Sequence, residues 1–223
     1  MPRILFLVLL FVGSISSSLA QNNWERGKMK DGKPVGVWEY YDDYAGKELG
    51  VRFDYDSSRI NFVKIDTSRY FVLVNTNWQT KRLTQAPRLV GSRVATVSAF
   101  QRKLRYPYQD LRVRREGSVV LSYIVNEQGK AGLPTVATAP SQTLAQEALR
   151  AADQLPMHYI PGELEGQRAQ TKVFLVVRFC ILFPEGQKEM QAEAQLKLHE
   201  QARLVPMPPG SFDEVIVTAF GAR

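Results

Sequence analysis

The stretch from Leu104 to Phe183 decides the fold, because its pieces follow in a definite order. Tyr106-Pro107 comes first, then Gly117-Ser118-Val119-Val120-Leu121-Ser122-Tyr123-Ile124-Val125 and Asn126-Glu127-Gln128-Gly129-Lys130. Glu147-Ala148-Leu149-Arg150 follows, then Pro161-Gly162, Gly166 and the run Lys172 to Phe183. Across 117–125, Val119, Leu121, Tyr123 and Val125 alternate with Ser118 and Ser122, the period of a strand with one buried face. Gly129 supplies a turn into a second strand over 133–139. Thr143-Leu144-Ala145-Gln146 has capping-box spacing, and Leu144, Ala148, Ala151, Ala152 and Leu155 fall on one stripe, which predicts a helix that Pro156 stops. Residues 157–170 read as a loop. The run Lys172 to Phe183 is apolar almost throughout, so both faces of that strand should be covered. The product is an α+β arrangement: a small, three-stranded antiparallel sheet in ββαβ order with helices on one face.

Working outward, 94–104 is predicted helical with Val97 and Leu104 inward, and Tyr106-Pro107 ends it because proline pushes its predecessor out of the helical region. The polar connector 81–92, with Pro87 and Gly91, reads as a linker. Before it, 21–80 reads as an antiparallel β-meander. Asp31-Gly32 is a tight-turn dipeptide, and Val51, Phe53 and Tyr55 alternate with Arg52, Asp54 and Asp56. Runs 60–65 and 70–74 are rich in β-branched and aromatic residues. After the 93–183 unit, 184–211 reads as a polar helix followed by the stiff linker Pro206-Met207-Pro208-Pro209-Gly210. Residues 212–223 form the tail.

Met1 to Ala20 stands apart from the rest. Arg3, an apolar run over 4–12 and the small residues Ser18-Leu19-Ala20 have the order of a cleaved export signal, with 4–20 as a retained inner-membrane anchor the alternative. The one cysteine, Cys180, sits within a predicted strand and has no partner for a disulfide. An exported chain with a single buried cysteine suits a bacterial periplasm. The net charge is +7, and Arg93, Arg102, Lys103, Arg105, Arg112, Arg114 and Arg115 cluster before the first long strand. Export disfavours a nucleic-acid partner. The cluster is then a solvated surface or a contact with the anionic surface of the envelope.

The ordered pieces from Tyr106 to Phe183 resemble the C-terminal domain of TonB, the periplasmic half of the energy transducer that touches outer-membrane receptors. The resemblance spans about a third of the chain. It implies a binding module without catalytic or metal-ligating residues and without a cofactor. In that family an extended receptor segment adds a strand beside the last long strand of the domain. Carried onto this chain, the partner-binding residues are Lys172, Val173, Phe174, Leu175, Val176, Val177, Arg178 and Phe179, with Tyr106 and Pro107 near the same groove. The implied partners are an outer-membrane receptor's N-terminal segment or another TonB-like protein, with a homodimer by strand exchange as a further expectation. Separately, 27–42, with Trp38 and Tyr40, resembles one MORN-type repeat.

The tail Asp213-Glu214-Val215-Ile216-Val217-Thr218-Ala219 itself resembles a TonB box. Three readings compete: a strand added in cis or from a neighbouring copy that caps the edge, a peptide offered to a different TonB-type domain, or chance. If the signal segment is removed, the chain lacks TonB's inner-membrane anchor and long spacer, and it should not transduce the proton-motive force by itself. His158 and His199 lie apart, and no glycine-rich phosphate loop or Gly-x-Ser-x-Gly appears. Enzymatic activity is therefore not expected. A structural envelope scaffold is the alternative function, and a hydrolase a distant third.

Overall fold

The computed structural model describes residues 18–153, 155, 158–183 and 187–220. Residues 1–17 of the expected signal segment, Pro156 and Gly186 lie outside these. Ser18, Leu19 and Ala20, expected at the cleavage site, are strand residues paired with Met29, Lys28 and Gly27.

The N-terminal part is an antiparallel meander of five strands in chain order: β1 (Ser18–Asn22), β2 (Glu25–Lys30), β3 (Lys33–Tyr41), β4 (Leu49–Asp54) and β5 (Arg59–Val63). Asp31 and Gly32 both have positive φ, 51° and 73°, which a two-residue hairpin turn of this hand requires. Trp38, Tyr40 and Val51 are buried on one face. Trp38 closes directly over Gly27, where a Cβ would lie 2.2 Å from the indole. Its indole N–H donates to the Lys28 carbonyl at 3.1 Å. The aromatic pair is thus core packing. The meander is shorter than the expected 21–80, because the segment 70–74 leaves it for the other sheet.

That second sheet has six strands. β6 (Arg69–Val74) and β7 (Asn77–Arg82) form a hairpin along one side of it. β8 (Arg88–Leu89) follows in the expected connector and pairs with β11 (Tyr159–Ile160), so 81–92 is a structured bridge and not a free linker. Next come α1 (Arg93–Lys103), capped by Ser92, and the short α2 (Tyr108–Arg112). β9 (Gly117–Val125) turns through Gly129, φ 77°, into β10 (Thr135–Thr138). α3 (Gln142–Ala152) starts two residues earlier than expected. Ser141 is its cap, accepting from the Leu144 N–H at 3.1 Å, while the Thr143 hydroxyl turns away to the carboxylate of Asp110. The expected loop 157–170 contains β11 and the hairpin β12 (Gly162–Leu164) and β13 (Gln167–Ala169). β14 (Thr171–Leu182) is the central strand, followed by α4 (Gln187–Leu204) and β15 (Ser211–Phe220).

The fold is α+β, as expected, but the sheet is larger and its helices lie on both faces. Leu175, Val177 and Phe179 of β14 pack with Val97 and Phe100 of α1 and Leu144, Ala148 and Ala151 of α3. The alternate residues Phe174 and Val176 pack with Val120, Phe71 and Val205 at the end of α4. Gln201 of α4 donates to the Phe179 carbonyl at 2.8 Å and accepts from Ser118 Oγ at 3.0 Å. A strand apolar on both faces needs two covers, and a helix on one side alone would leave Phe174 and Val176 in water.

Candidate strand-binding edge

β14 is the strand expected to bind a partner, and its two edges differ. Residues Thr171–Phe179 pair antiparallel with β9 along one edge. Along the other, Thr171 and Lys172 pair with Val72 and Phe71 of β6, and from Phe174 onward the whole edge is taken by the chain's own β15. This second ladder is parallel: Leu175 lies opposite Asp213, Val177 opposite Val215, Phe179 opposite Val217 and Leu182 opposite Phe220. The TonB-box-like tail therefore caps the edge in cis.

The topology follows from the connection. Parallel neighbours need a crossover of a dozen or more residues, and α4 with the proline linker supplies it. The linker ends in a turn at Gly210, φ 82°, where a Cβ would stand 2.8 Å from the Tyr70 ring and 2.9 Å from the Lys172 carbonyl. Ser211 N–H and Oγ both donate to the Pro208 carbonyl. The Phe174 N–H donates to the Gly210 carbonyl at 3.2 Å, opening the ladder.

From Asp213 onward, past the register shift opposite Phe174 and Leu175, the side chains of β15 sort by parity. Val215 and Val217, 2 % and 7 % exposed, enter the core with α1 and β14, and Phe212 packs at its rim. Asp213 lies on that face too, 3.4 Å from Nε of Arg93. Burial pushes its carboxyl above the usual carboxylate range, against the opposing pull of Arg93. Gln101 of α1 donates to the Ile216 carbonyl at 3.1 Å on the open side of β15. On the opposite face Glu214 accepts from Arg178 Nε at 2.7 Å. Arg178 is fully buried, and its Nη1 also donates to Ser118 Oγ at 2.9 Å and to the Val205 carbonyl at 3.1 Å.

The other expected site residues divide. The Tyr106 ring meets Phe179 edge-on, centroids 5.4 Å apart, and its hydroxyl donates to the Arg115 carbonyl at 2.6 Å. It supports the strand from one face and does not line the edge. Pro107 stands at the start of α2. Lys172 places its ammonium over the Trp78 ring at 4.4 Å, and Val173 is buried with Leu89, Tyr123 and Tyr159. Sequence reasoning did not foresee Ser118, Gln201 or the β6–β7 hairpin at this edge. Arg178 carried a legible signal, since it interrupts an otherwise apolar run and arginine is almost never fully buried without a partner.

Residues 102–181 match the family model of the Gram-negative bacterial TonB protein C-terminal. The match covers α2, β9, β10, α3 and nearly all of β14, and supports a TonB C-terminal domain in this part of the chain. It does not reach the N-terminal meander, α4 or β15. No curated protein and no solved structure matches the chain. Among the described residues, no helix is long and apolar enough to cross a membrane.

Proposed function

We propose that this protein is a periplasmic TonB-like binding module whose β14 edge receives an extended segment of a partner by strand addition, in the setting of outer-membrane transport. The observation that carries the reading is the parallel β14–β15 ladder. A segment resembling a TonB box already lies along the edge where the family would dock one. Main-chain hydrogen bonds give such docking its affinity, and the alternate pockets filled by Val215 and Val217 give it selectivity. Because β15 is tethered through a five-residue linker, its local concentration is high, and a partner segment must displace it. The module is thus self-capped and opens only to a competitor, or to a second copy exchanging the same strand.

Pull-down of the intact chain on immobilised N-terminal segments of outer-membrane receptors tests this. A photo-crosslinker at Gln101, which touches the Ile216 carbonyl, should capture the bound segment in place of the chain's own tail. Absence of binding, with the tail also released by substitution, would sink the reading.

An envelope scaffold is the second reading. What favours it is the meander, where β5 has no partner on its outer side among the described residues and Ile60 and Phe62 are exposed. An unprotected strand edge with exposed apolar side chains is a pairing surface. Trp38 and Tyr40, buried in the meander core, are not available for such a contact.

A further inference from the structure

We propose that Arg178 reads the strand lying along β14, and that it selects segments carrying a carboxylate at the position Glu214 holds. The proposal rests on the strand-addition reading above and names what the added strand must contain.

A guanidinium taken out of water is tolerated only when it is paired and hydrogen-bonded. Arg178 is 0 % exposed, between Val177 and Phe179 in an apolar strand. Two of its partners are neutral, Ser118 Oγ and the Val205 carbonyl, and both belong to the permanent fold. Among the described residues, the one carboxylate within ion-pair distance is Glu214, which belongs to the exchangeable strand. An occupant without an acid there would leave a buried cation with no countercharge.

The tail satisfies this cation only in part. Nη2 of Arg178 is buried and has no hydrogen-bond partner among the described residues. Nε and Nη2 share the edge of a guanidinium that takes a carboxylate side-on. The same chain displays the complete pair elsewhere: Arg150 donates from Nε to Glu147 Oε2 at 2.8 Å and from Nη2 to Oε1 at 2.6 Å. At Arg178, Glu214 engages Nε alone. A partner carboxylate seated side-on would satisfy both donors and so outcompete the chain's own strand.

The register fixes the recognised pattern. Glu214 immediately precedes Val215, and Val217 lies two further on, so the required order is acid, apolar, any residue, apolar. Asp213 is not read in this way. Its partner Arg93 is 44 % exposed, and an ion pair so open to solvent contributes little.

The test keeps the full chain. A protease-cleavable sequence inserted between Met207 and Pro208 allows β15 to be severed while it remains in place, and labelled peptides of sequence 211–220 are then exchanged in. The Glu214→Gln peptide should bind at least about 10-fold more weakly than the parent, the worth of a charge-assisted hydrogen bond. The Asp213→Asn peptide should stay within about threefold, as expected for an exposed pair. In a cleaved chain carrying Arg178→Met, which fills the same volume without charge, the preference for glutamate should vanish. Equal binding of the parent and Glu214→Gln peptides overturns the role of Arg178 and leaves strand addition standing. If no peptide exchanges, strand addition falls and this proposal falls with it. In the uncleaved chain, Glu214→Gln should speed amide exchange in β15, and adding Arg178→Met should reverse most of that. Independent, additive effects of the two substitutions would also overturn the proposal.

Discussion

Val177 and Val215 face each other across a parallel ladder with both side chains closed to solvent, although a whole helix and a proline linker separate them in sequence. The pair makes the C-terminal strand part of the core and not an appendage, and it makes the strand's release a measurable event.

Replacing Val215 by Asp puts an unpaired carboxylate against Val177 and the apolar face of α1. Burying such a group costs several kcal/mol, so β15 should leave and take its carboxylate into water. Amide exchange in β14 should then accelerate along the edge that β15 covers. The β9–β10 hairpin, which does not depend on the tail, should keep its protection.

Gly27 is fixed by a different contact. A methyl group there would lie 2.2 Å from Cδ2 of Trp38, so Gly27→Ala must displace the indole or the β2 backbone. Overpacking of this kind costs about 1–3 kcal/mol, read as a lower denaturant midpoint for the tryptophan fluorescence transition.

Asp110 ties α2 to the start of α3. It accepts from Ser141 Oγ at 2.9 Å, from the Thr143 hydroxyl and from Arg115 Nη1 at 2.9 Å. Burial alone would raise its carboxyl, but these donors outweigh it and hold the group below the ordinary range. A lowered native pKa means stability that is present in full above the unfolded value of about 3.9 and is lost as pH falls through the native one. Asp110→Asn should therefore cost about 1–3 kcal/mol at neutral pH, with the gap to the parent closing in acid.

Asp213 carries the opposite sign. Its carboxyl is raised by burial, so the docked tail binds a proton more readily than the free tail. The contribution of Asp213 to docking is therefore present in full below the ordinary aspartate pKa and is lost as pH rises through the raised value. Asp213→Asn should remove this dependence, as followed by the chemical shifts of the β15 amides across that range.

Much of the C-terminal fold was legible because its periods are local. Val119, Leu121, Tyr123 and Val125 alternate, and Leu144, Ala148, Ala151 and Ala152 recur at helical spacing, so strand and helix announce themselves within a few residues. What escaped depended on distant partners. Tyr70 to Val74 looks like any meander strand, and only the pairing of Phe71 and Val72 with Lys172 and Thr171 assigns it to the second sheet. Thr143 has the spacing of a cap, but Ser141 takes that place: its Oγ accepts from the Leu144 N–H while donating to Asp110, a partner 31 residues away. The covering of both faces was written in the largely apolar run of β14, while the identity of the second cover, α4, was hidden by that helix's polar composition. The tail's sequence left cis and trans capping equally open, because the same alternation of Val215 and Val217 fits either.

The most direct measurement is binding of an immobilised peptide of sequence 211–220 to the full chain and to its Val215→Asp variant. The variant, its edge vacated, should bind the peptide well, and the parent chain weakly, because its own tail competes. Failure of both to bind, with β14 shown to be exposed in the variant, would contradict the idea that this edge accepts a strand from another molecule.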